Sequence, residues 1–149
     1  MLNSIRERIL QTLADKLARV AADHGASVHR SPTVAIERER CPALVLFPEL
    51  DQITERPNDR VVRQLTVKVV ALARAALPQT PEPQADALLV AAHAAIMADT
   101  NLGGLCTGIH EIDAEFDVED ADADAEACAI PQRYRLTYRT LAADLSVPG

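Results

Sequence analysis

The sequence is short of aromatic residues, cysteines and long apolar runs. Only 3% of its 149 residues are aromatic and none is tryptophan, so Ala, Val and Leu must fill the core, and few rings are available to stack on single-stranded nucleic acid. No stretch approaches the roughly 20 apolar residues that a membrane-spanning helix needs, and the opening MLNSIRERIL lacks the apolar region of a secretory signal. We therefore expect no membrane partner and folding in the cytoplasm.

Residues that usually build catalytic or metal centres are few and scattered. The three cysteines, at positions 41, 106 and 128, form no CxxC pair, which predicts free reduced thiols. None of the four histidines stands in an HxxxH or HExxH pattern, and neither a GxSxG motif nor a phosphate-binding loop is present. We interpret His93 as a partly buried core residue or an interface residue. These patterns predict neither catalysis nor a cofactor.

The charge balance is acidic, with a net charge of −7 and a pI of about 5.0. Phosphate backbones are bound by clustered Lys and Arg, so this balance argues against specific nucleic-acid binding. Asp120, Asp122 and Asp124 alternate with alanine in a spacing similar to a calcium loop, but the central glycine and the distal glutamate of such a loop are missing. We interpret the segment as an acidic loop with no specific metal site.

The length of 149 residues predicts a single domain over residues 1–149, since it fits one core. The predicted fold is α/β of the α+β type, an antiparallel or mixed sheet of about four to five strands with two main helices packed on one face. Ser4 and Glu7 suggest a capping box for the first helix, and the alternating stretch RVVRQLTVKVV should be the central strand, although its tail VVALARAAL is also compatible with a helix. The predicted helices span 4–23 and 82–99, and the predicted strands lie near 33–38, 42–47, 60–72, 109–119 and 132–141.

The last two predicted strands should form an antiparallel hairpin with acids on one strand facing arginines on the other. If the numbers of facing residues sum to 250, the pairs are Glu111–Arg139, Glu115–Arg135 and Asp117–Arg133. Sums of 248 or 252 remain open, because they leave Ile112 on the same face of the sheet.

Two polar regions supply candidate interface residues. The segment 49–59 is predicted to be a long polar loop, and because it has no His, Cys or Ser it suits contact with a protein. The first helix has a basic face that could meet an acidic partner, although a solvated face is the simpler interpretation and the one we prefer. The candidate interface residues are Glu49, Asp51, Glu55, Arg56, Arg6, Lys16, Asp120, Asp122 and Asp124.

Several segments together resemble the tail terminator, or tail completion, proteins of long-tailed bacteriophages and prophages, a group that includes the minor tail protein U type. The similar segments, in order, are SIRERILQTLADKL, CPALVLF, RQLTVKVVALA, ADALLVAAHAAIMAD with NLGGLCTGI, and YRLTYRT. The resemblance implies a compact α/β fold and a structural, non-catalytic role. It also implies a hexameric ring that caps the tail tube, contacts head-tail connector proteins, assembles in the host bacterial cytoplasm and remains in the virion tail. The acidic segment 120–129 departs from the family in length or charge.

Other functions remain open. The chain could be another phage or secretion-apparatus structural protein, or a small α/β ligand-binding domain or enzyme. Within a ring, residues 111–126 could line a DNA channel, because carboxylates repel phosphates. The cross-strand charge ladder is the simpler interpretation of those acids, and we prefer it.

Overall fold

A computed structural model describes residues 2–74, 80–114 and 127–149. In those ranges two helices and five strands follow one another along the chain, with short 3-10 turns at Arg38–Arg40 and Leu102–Gly104. Neither helix is both long and apolar enough to cross a bilayer. The elements are α1 (Ile5–Asp23), β1 (Ser27–Arg30), β2 (Ala43–Glu55), β3 (Arg60–Arg74), α2 (Glu82–Met97), β4 (Gly108–Asp113) and β5 (Ala127–Leu141).

The five strands form one mixed sheet in the order β1-β2-β3-β5-β4. Strand β1 runs parallel to β2, and the other neighbours are antiparallel. The predicted α+β domain is therefore confirmed, in its mixed form. Strand β3 is central, as its alternation predicted. Its tail is strand as far as Arg74, because it stays paired with β5 to that point, and residues 75–77 lie outside the described residues.

Both helices pack on the same face of the sheet and against each other, α1 over β1 and β2 and α2 over β3 and β5. At the start of α1, Ser4 Oγ accepts a hydrogen bond from the Glu7 amide at 3.0 Å, but the Glu7 carboxylate binds Arg30. Only half of the predicted capping box is therefore present. The apolar stripe of α1 is buried as its spacing predicted, and its members are Ile5, Ile9, Leu10, Leu13, Leu17 and Ala21.

The edge strand predicted at 33–38 is wrong. The strand lies at Ser27–Arg30, where Val28 packs on the core, and the backbone turns at Ser31 with a φ of 45°. Val34 is 77% exposed, so the weak alternation of 33–38 has no core to face.

The long polar loop predicted at 49–59 is also wrong. Strand β2 continues to Glu55 and pairs with β3 in a hairpin, whose turn includes Asn58 at a φ of 58°. The prediction missed this extension because cross-strand hydrogen bonds hold a strand together even where its side chains are not buried.

The pairing of β4 with β5 differs from the predicted register. Ile109 faces Leu136 and Glu111 faces Tyr134, which gives a sum of 245, and a shift between Glu111 and Asp113 follows. The predicted Glu111–Arg139 pair is therefore wrong, whereas the pairs predicted for residues 115 and 117 lie outside the described residues. The prediction assumed that Ile112 faces the core, but Ile109 is the residue that is buried there, at 3% exposed.

Candidate interface on the open face of the sheet

The two helices cover one face of the sheet and leave the other without a covering helix or strand among the described residues. On the covered face, Leu65 of β3 lies opposite Leu136 of β5, and both belong to the apolar core. Because side chains alternate along a strand, the neighbours Thr66 and Arg135, which also face each other, lie on the opposite side. We call that side the open face. Its described members come from all five strands.

One row of side chains across the open face is compensated in charge. In register, Phe47 of β2 lies beside Lys68 of β3, which lies beside Arg133 of β5. The Lys68 ammonium is 5.2 Å from the centre of the Phe47 ring, a cation–π distance. Arg133 binds Asp113 of β4 through two hydrogen bonds of 2.6 and 2.9 Å, and its guanidinium lies 3.8 Å from Glu49. The hydrogen bond from Arg133 lowers the pKa of the Asp113 carboxyl.

The next positions on the open face carry positive charge without an acidic partner. Arg135 has Thr66 on one side and His110 on the other, and Arg139 lies opposite Val62. Both arginines are exposed, and neither makes an ion pair with any residue in the described ranges. Leu50, which pairs with Thr66 in the same row as Arg135, is 57% exposed. The open face therefore combines two exposed guanidinium groups with an exposed leucine.

The candidate interface residues Arg6 and Asp51 lie together where the β2–β3 hairpin meets the start of α1. Asp51 accepts hydrogen bonds from the Tyr138 hydroxyl and, at 3.2 Å, from the Arg6 guanidinium. Its side chain is only 10% exposed, and its second oxygen is buried with no hydrogen-bond partner among the described residues. Burial raises the pKa of Tyr138, and the bond to Asp51 adds to that effect. Asp51 thus ties the hairpin to the helix and is not displayed at the surface.

The remaining candidate residues are dispersed. Glu49 lies at the open face beside Arg133, whereas Glu55 and Arg56 are exposed at the far end of the hairpin. Lys16 is half-buried on α1, on the other side of the sheet. The three acids at 120, 122 and 124 lie outside the described residues.

The arginines of the open face are the functional candidates that the sequence interpretation missed. The alternation of QRYRLTYRTL places Arg133, Arg135 and Arg139 on one face, and the structure bears this out. The predicted register pairs all three with acids of the neighbouring strand, and the observed register differs from it. In the observed pairing His110 lies beside Arg135, and Glu111 lies beside Tyr134 rather than Arg139.

A second polar cluster joins α2 to strands β4 and β5. His93 Nδ1 lies 2.8 Å from the Tyr134 hydroxyl, and His93 Nε2 lies 3.7 Å from the Glu111 carboxylate. Gln132 donates a 2.5 Å hydrogen bond to the same carboxylate. Tyr134 is fully buried, and burial raises its pKa, so the phenol keeps its proton at neutral pH. Through these contacts His93 holds α2 against the sheet.

Thiols and metal ligands add no further centre within the described ranges. Cys106 is buried, and burial raises the pKa of its thiol to about 11, so it is almost entirely protonated at neutral pH. No group of three or more His, Cys, Asp or Glu side chains is arranged to hold a metal ion in that part of the chain.

Comparison with known proteins assigns no family to the chain. No protein-family model matches it, and a search of curated proteins finds no significant match. We therefore infer the function from the open face of the sheet and from the resemblance of the sequence segments.

Proposed function

We propose that the protein is a structural component of a bacteriophage or prophage tail, which assembles with copies of itself into a ring, caps the tail tube and offers a surface to head-tail connector proteins. In this role it transforms no substrate. Assembly would take place in the host bacterial cytoplasm, and the ring would remain in the virion tail. The observation that carries the proposal is the open face of the sheet, where exposed arginines lie near the exposed Leu50 and the half-buried Phe47.

The composition of the open face suits contact with another protein. Arg and aromatic residues are enriched at protein interfaces, whereas Lys, Glu and Asp are depleted there. Here Phe47 and Leu50 lie within one or two strand positions of Lys68 and Arg135. A partner could bury the apolar groups while its own acids meet the guanidinium groups. The observed fold, a sheet with both helices on one side, leaves such a face available.

The β2–β3 hairpin offers a second candidate surface for contact with a protein. Strand β1 pairs only with Ala43–Leu46, so no described residue pairs with the outer edge of β2 beyond that point. Pro48 offers no amide there, and two irregularities interrupt the ladder between Pro48 and Leu50 and between Ile53 and Glu55. Such features oppose the addition of a further strand. The hairpin therefore suits contact through its side chains, which include the partly exposed Ile53.

The proposal is tested on tails that lack this protein. Tail tubes would be prepared from a host in which the gene for this chain is deleted from its phage or prophage, and incubated with the purified protein. We expect electron micrographs to show a ring at one end of each tube, and we expect these tails to join added heads.

Variants and alternative outcomes make this test specific. The double variant Arg135→Ala/Arg139→Ala should cap fewer tubes, whereas Arg19→Ala, on the exposed side of α1, should act like the wild type. Decoration along the tube sides would indicate another structural role in the tail. If folded protein bound no part of the tube at any concentration, the proposed role would be wrong.

A further inference from the structure

One charged side chain interrupts the apolar row that β3 presents to the covered face. Arg63 lies in the same alternation as Val61 and Leu65, which are at most 2% exposed, and its own side chain is half-buried. Its Nε donates a 3.1 Å hydrogen bond to the Thr140 hydroxyl, and no carboxylate among the described residues pairs with its guanidinium group. Because charged side chains in protected positions are normally paired, this position indicates an anionic partner that comes from elsewhere.

A small cavity lies beside this guanidinium group, where the β2–β3 hairpin meets the start of α1. Its volume is about 40 Å³, and its lining combines two guanidinium groups, three hydroxyl groups and one leucine. The residues are Ser4, Arg6, Arg63, Tyr138, Thr140 and Leu145. A space of this size holds about three water-sized groups, so it suits a carboxylate and is too small for a sugar or a nucleotide. Arg6 and Leu145 are exposed, at 47% and 48%, so the cavity lies next to solvent.

Several hydrogen-bond donors at the cavity have no acceptor among the described residues. The Thr140 hydroxyl accepts from Arg63 and keeps its own proton unused, although the side chain is only 1% exposed. The Ser4 hydroxyl accepts from the Glu7 amide and likewise has an unused proton. The terminal nitrogens of Arg63 donate to no described residue. A guanidinium group presents these N–H groups as a planar fork, which matches the two oxygens of a carboxylate.

The charge around the cavity favours a ligand with a single negative charge. Arg6 and Arg63 supply two positive charges, and Asp51, bound to Arg6 at 3.2 Å, supplies one negative charge. These three groups leave one positive charge in excess, which a monoanion balances. The Tyr138 hydroxyl already donates to Asp51, so it has no further proton to offer a ligand.

We propose that this cavity binds a carboxylate group, which the fork of Arg63 and the hydroxyl groups of Ser4 and Thr140 hold. The site lies on the covered side of the sheet, so it is separate from the open face and goes beyond the proposed function. A free small acid and an acidic side chain of a partner protein present the same group, and the experiment distinguishes these two sources. The inference holds whether or not the protein caps tails.

The test titrates sodium acetate into the full-length protein at neutral pH, at an ionic strength kept constant with sodium chloride. Acetamide has almost the same shape without the charge and is the comparison ligand. Proton–nitrogen correlation spectra would follow the Thr140 amide and the Arg63 Nε–H. We expect acetate to shift these signals to saturation with a Kd between about 0.1 and 10 mM, because a ligand this small has few atoms that can contribute to binding. Acetamide should bind about tenfold more weakly or less.

Variants of the cavity assign the binding to its residues. Arg63→Gln should weaken acetate binding about tenfold or more, because it removes both the charge and the fork. Arg63→Lys keeps the charge without the fork and should retain part of the affinity. Arg19→Gln, which removes an exposed cation elsewhere on α1, is the matched control and should bind acetate like the wild type. Circular dichroism would check folding, and Arg6→Gln, at an exposed position, should also weaken binding if Arg63→Gln were unfolded.

Several results would overturn the inference. They are the absence of saturable shifts up to about 100 mM acetate, equal binding of acetate and acetamide, and an acetate affinity that neither Arg63→Gln nor Arg6→Gln changes.

The source of the carboxylate follows from the capping of tail tubes. If Arg63→Gln, or excess acetate in place of chloride, reduced capping, a partner in the tail would supply the carboxylate, whereas unchanged capping would identify a free acid as the ligand. A protein that bound acetate and never bound a tube would support this site and refute the role in tails. A protein that capped tubes and bound no acetate would refute the site alone.

Discussion

The two faces of the central strands differ in what their side chains do, although they alternate residue by residue. On the covered face of β5, Tyr134, Leu136 and Tyr138 are at most 2% exposed. On the open face of the same strand, Arg135 and Arg139 are exposed. One strand thus serves the core and a charged surface at once. Whether a position in β5 is odd or even should therefore decide whether its substitution changes the stability of the fold or the association of the protein.

Side chains on the two faces contribute different amounts to the folding free energy. Removing a large apolar side chain from a packed core loses its transfer free energy and leaves a cavity. Exposed charges in water contribute between about 0 and 1 kcal/mol per pair. The open face can therefore carry a pattern of charge that suits a partner with little effect on the folding free energy.

The largest difference is expected between truncations of adjacent residues on opposite faces. Leu136→Ala should lower the free energy of unfolding by about 2–5 kcal/mol, because Leu136 is fully buried among residues of the core. Arg135→Ala, one residue away, should change it by less than about 0.5 kcal/mol. Urea denaturation of the two variants, followed by far-ultraviolet circular dichroism, gives both numbers. Equal losses would mean that the open face is packed as tightly as the core.

Local periodicity was enough to predict the parts of the fold that bury one continuous stripe. The spacing of Ile5, Ile9 and Leu13 predicted α1, and the alternation of Leu65 and Val67 predicted β3, because each pattern repeats over many residues beside a single core. Strand β1 has only four residues, and what defines it is its parallel pairing with Ala43–Leu46, some 16 positions further along the chain. A pattern so short, with a distant partner, gives no periodic signal of its own.

The candidate interface was less accessible to sequence reasoning because it depends on register. The alternation in β5 identified the face of Arg133, Arg135 and Arg139, but only the pairing with β4 decides which of them meets an acid. Asp51 shows the same limit. Nothing in its neighbourhood in the sequence predicts that Tyr138, 87 residues away, donates a hydrogen bond to it.

Removing the hydroxyl of a buried tyrosine should lower the free energy of unfolding by less than Leu136→Ala does. The loss should be larger at Tyr138 than at Tyr134. Tyr138→Phe removes the hydroxyl that donates to Asp51, whose side chain is 10% exposed and has one oxygen already buried without a partner. A carboxylate that loses a donor in such a place should lower the free energy of unfolding by about 1–3 kcal/mol. Tyr134→Phe is the matched control. Its hydroxyl partner is His93, which is 38% exposed and can bond to water instead, so about 1 kcal/mol or less is expected.

Thermal and urea unfolding of the two phenylalanine variants would check this order. The larger loss should belong to Tyr138→Phe, and Asp51→Asn should reproduce most of it, since the amide is a weaker acceptor than the carboxylate. If Tyr134→Phe cost as much as Tyr138→Phe, the burial of Asp51 would not be the cause of the loss. The hairpin would then be held to α1 by its packing alone.

The smallest effect concerns the rim of the covered face, where Glu7 of α1 binds Arg30 of β1. The two hydrogen bonds measure 2.5 and 2.6 Å, and each side chain is about a third exposed, at 34% and 33%. The hydrogen bond from Arg30 lowers the pKa of Glu7 in the folded protein, whereas the unfolded chain has the ordinary value. The folded state therefore binds the proton less readily, and the pair stabilises the fold fully above the ordinary glutamate pKa of about 4.3 and stops doing so as the pH falls through the lowered folded value.

Glu7→Gln should consequently lower the free energy of unfolding by less than about 1 kcal/mol at neutral pH, because solvent screens the pair. The difference between the variant and the wild type should shrink as the pH falls below about 4, since the protonated glutamic acid and the glutamine are then alike in charge. Urea unfolding at several pH values measures it. Asp15→Asn, which removes an exposed acid on the same helix without an ion pair among the described residues, is the matched control and should change the free energy of unfolding at neutral pH by less than about 0.5 kcal/mol. If the difference caused by Glu7→Gln persisted or grew at pH 3, the Glu7 side chain would act through its packing rather than through its charge. Packing would then stabilise this edge of the covered face, as it does the core.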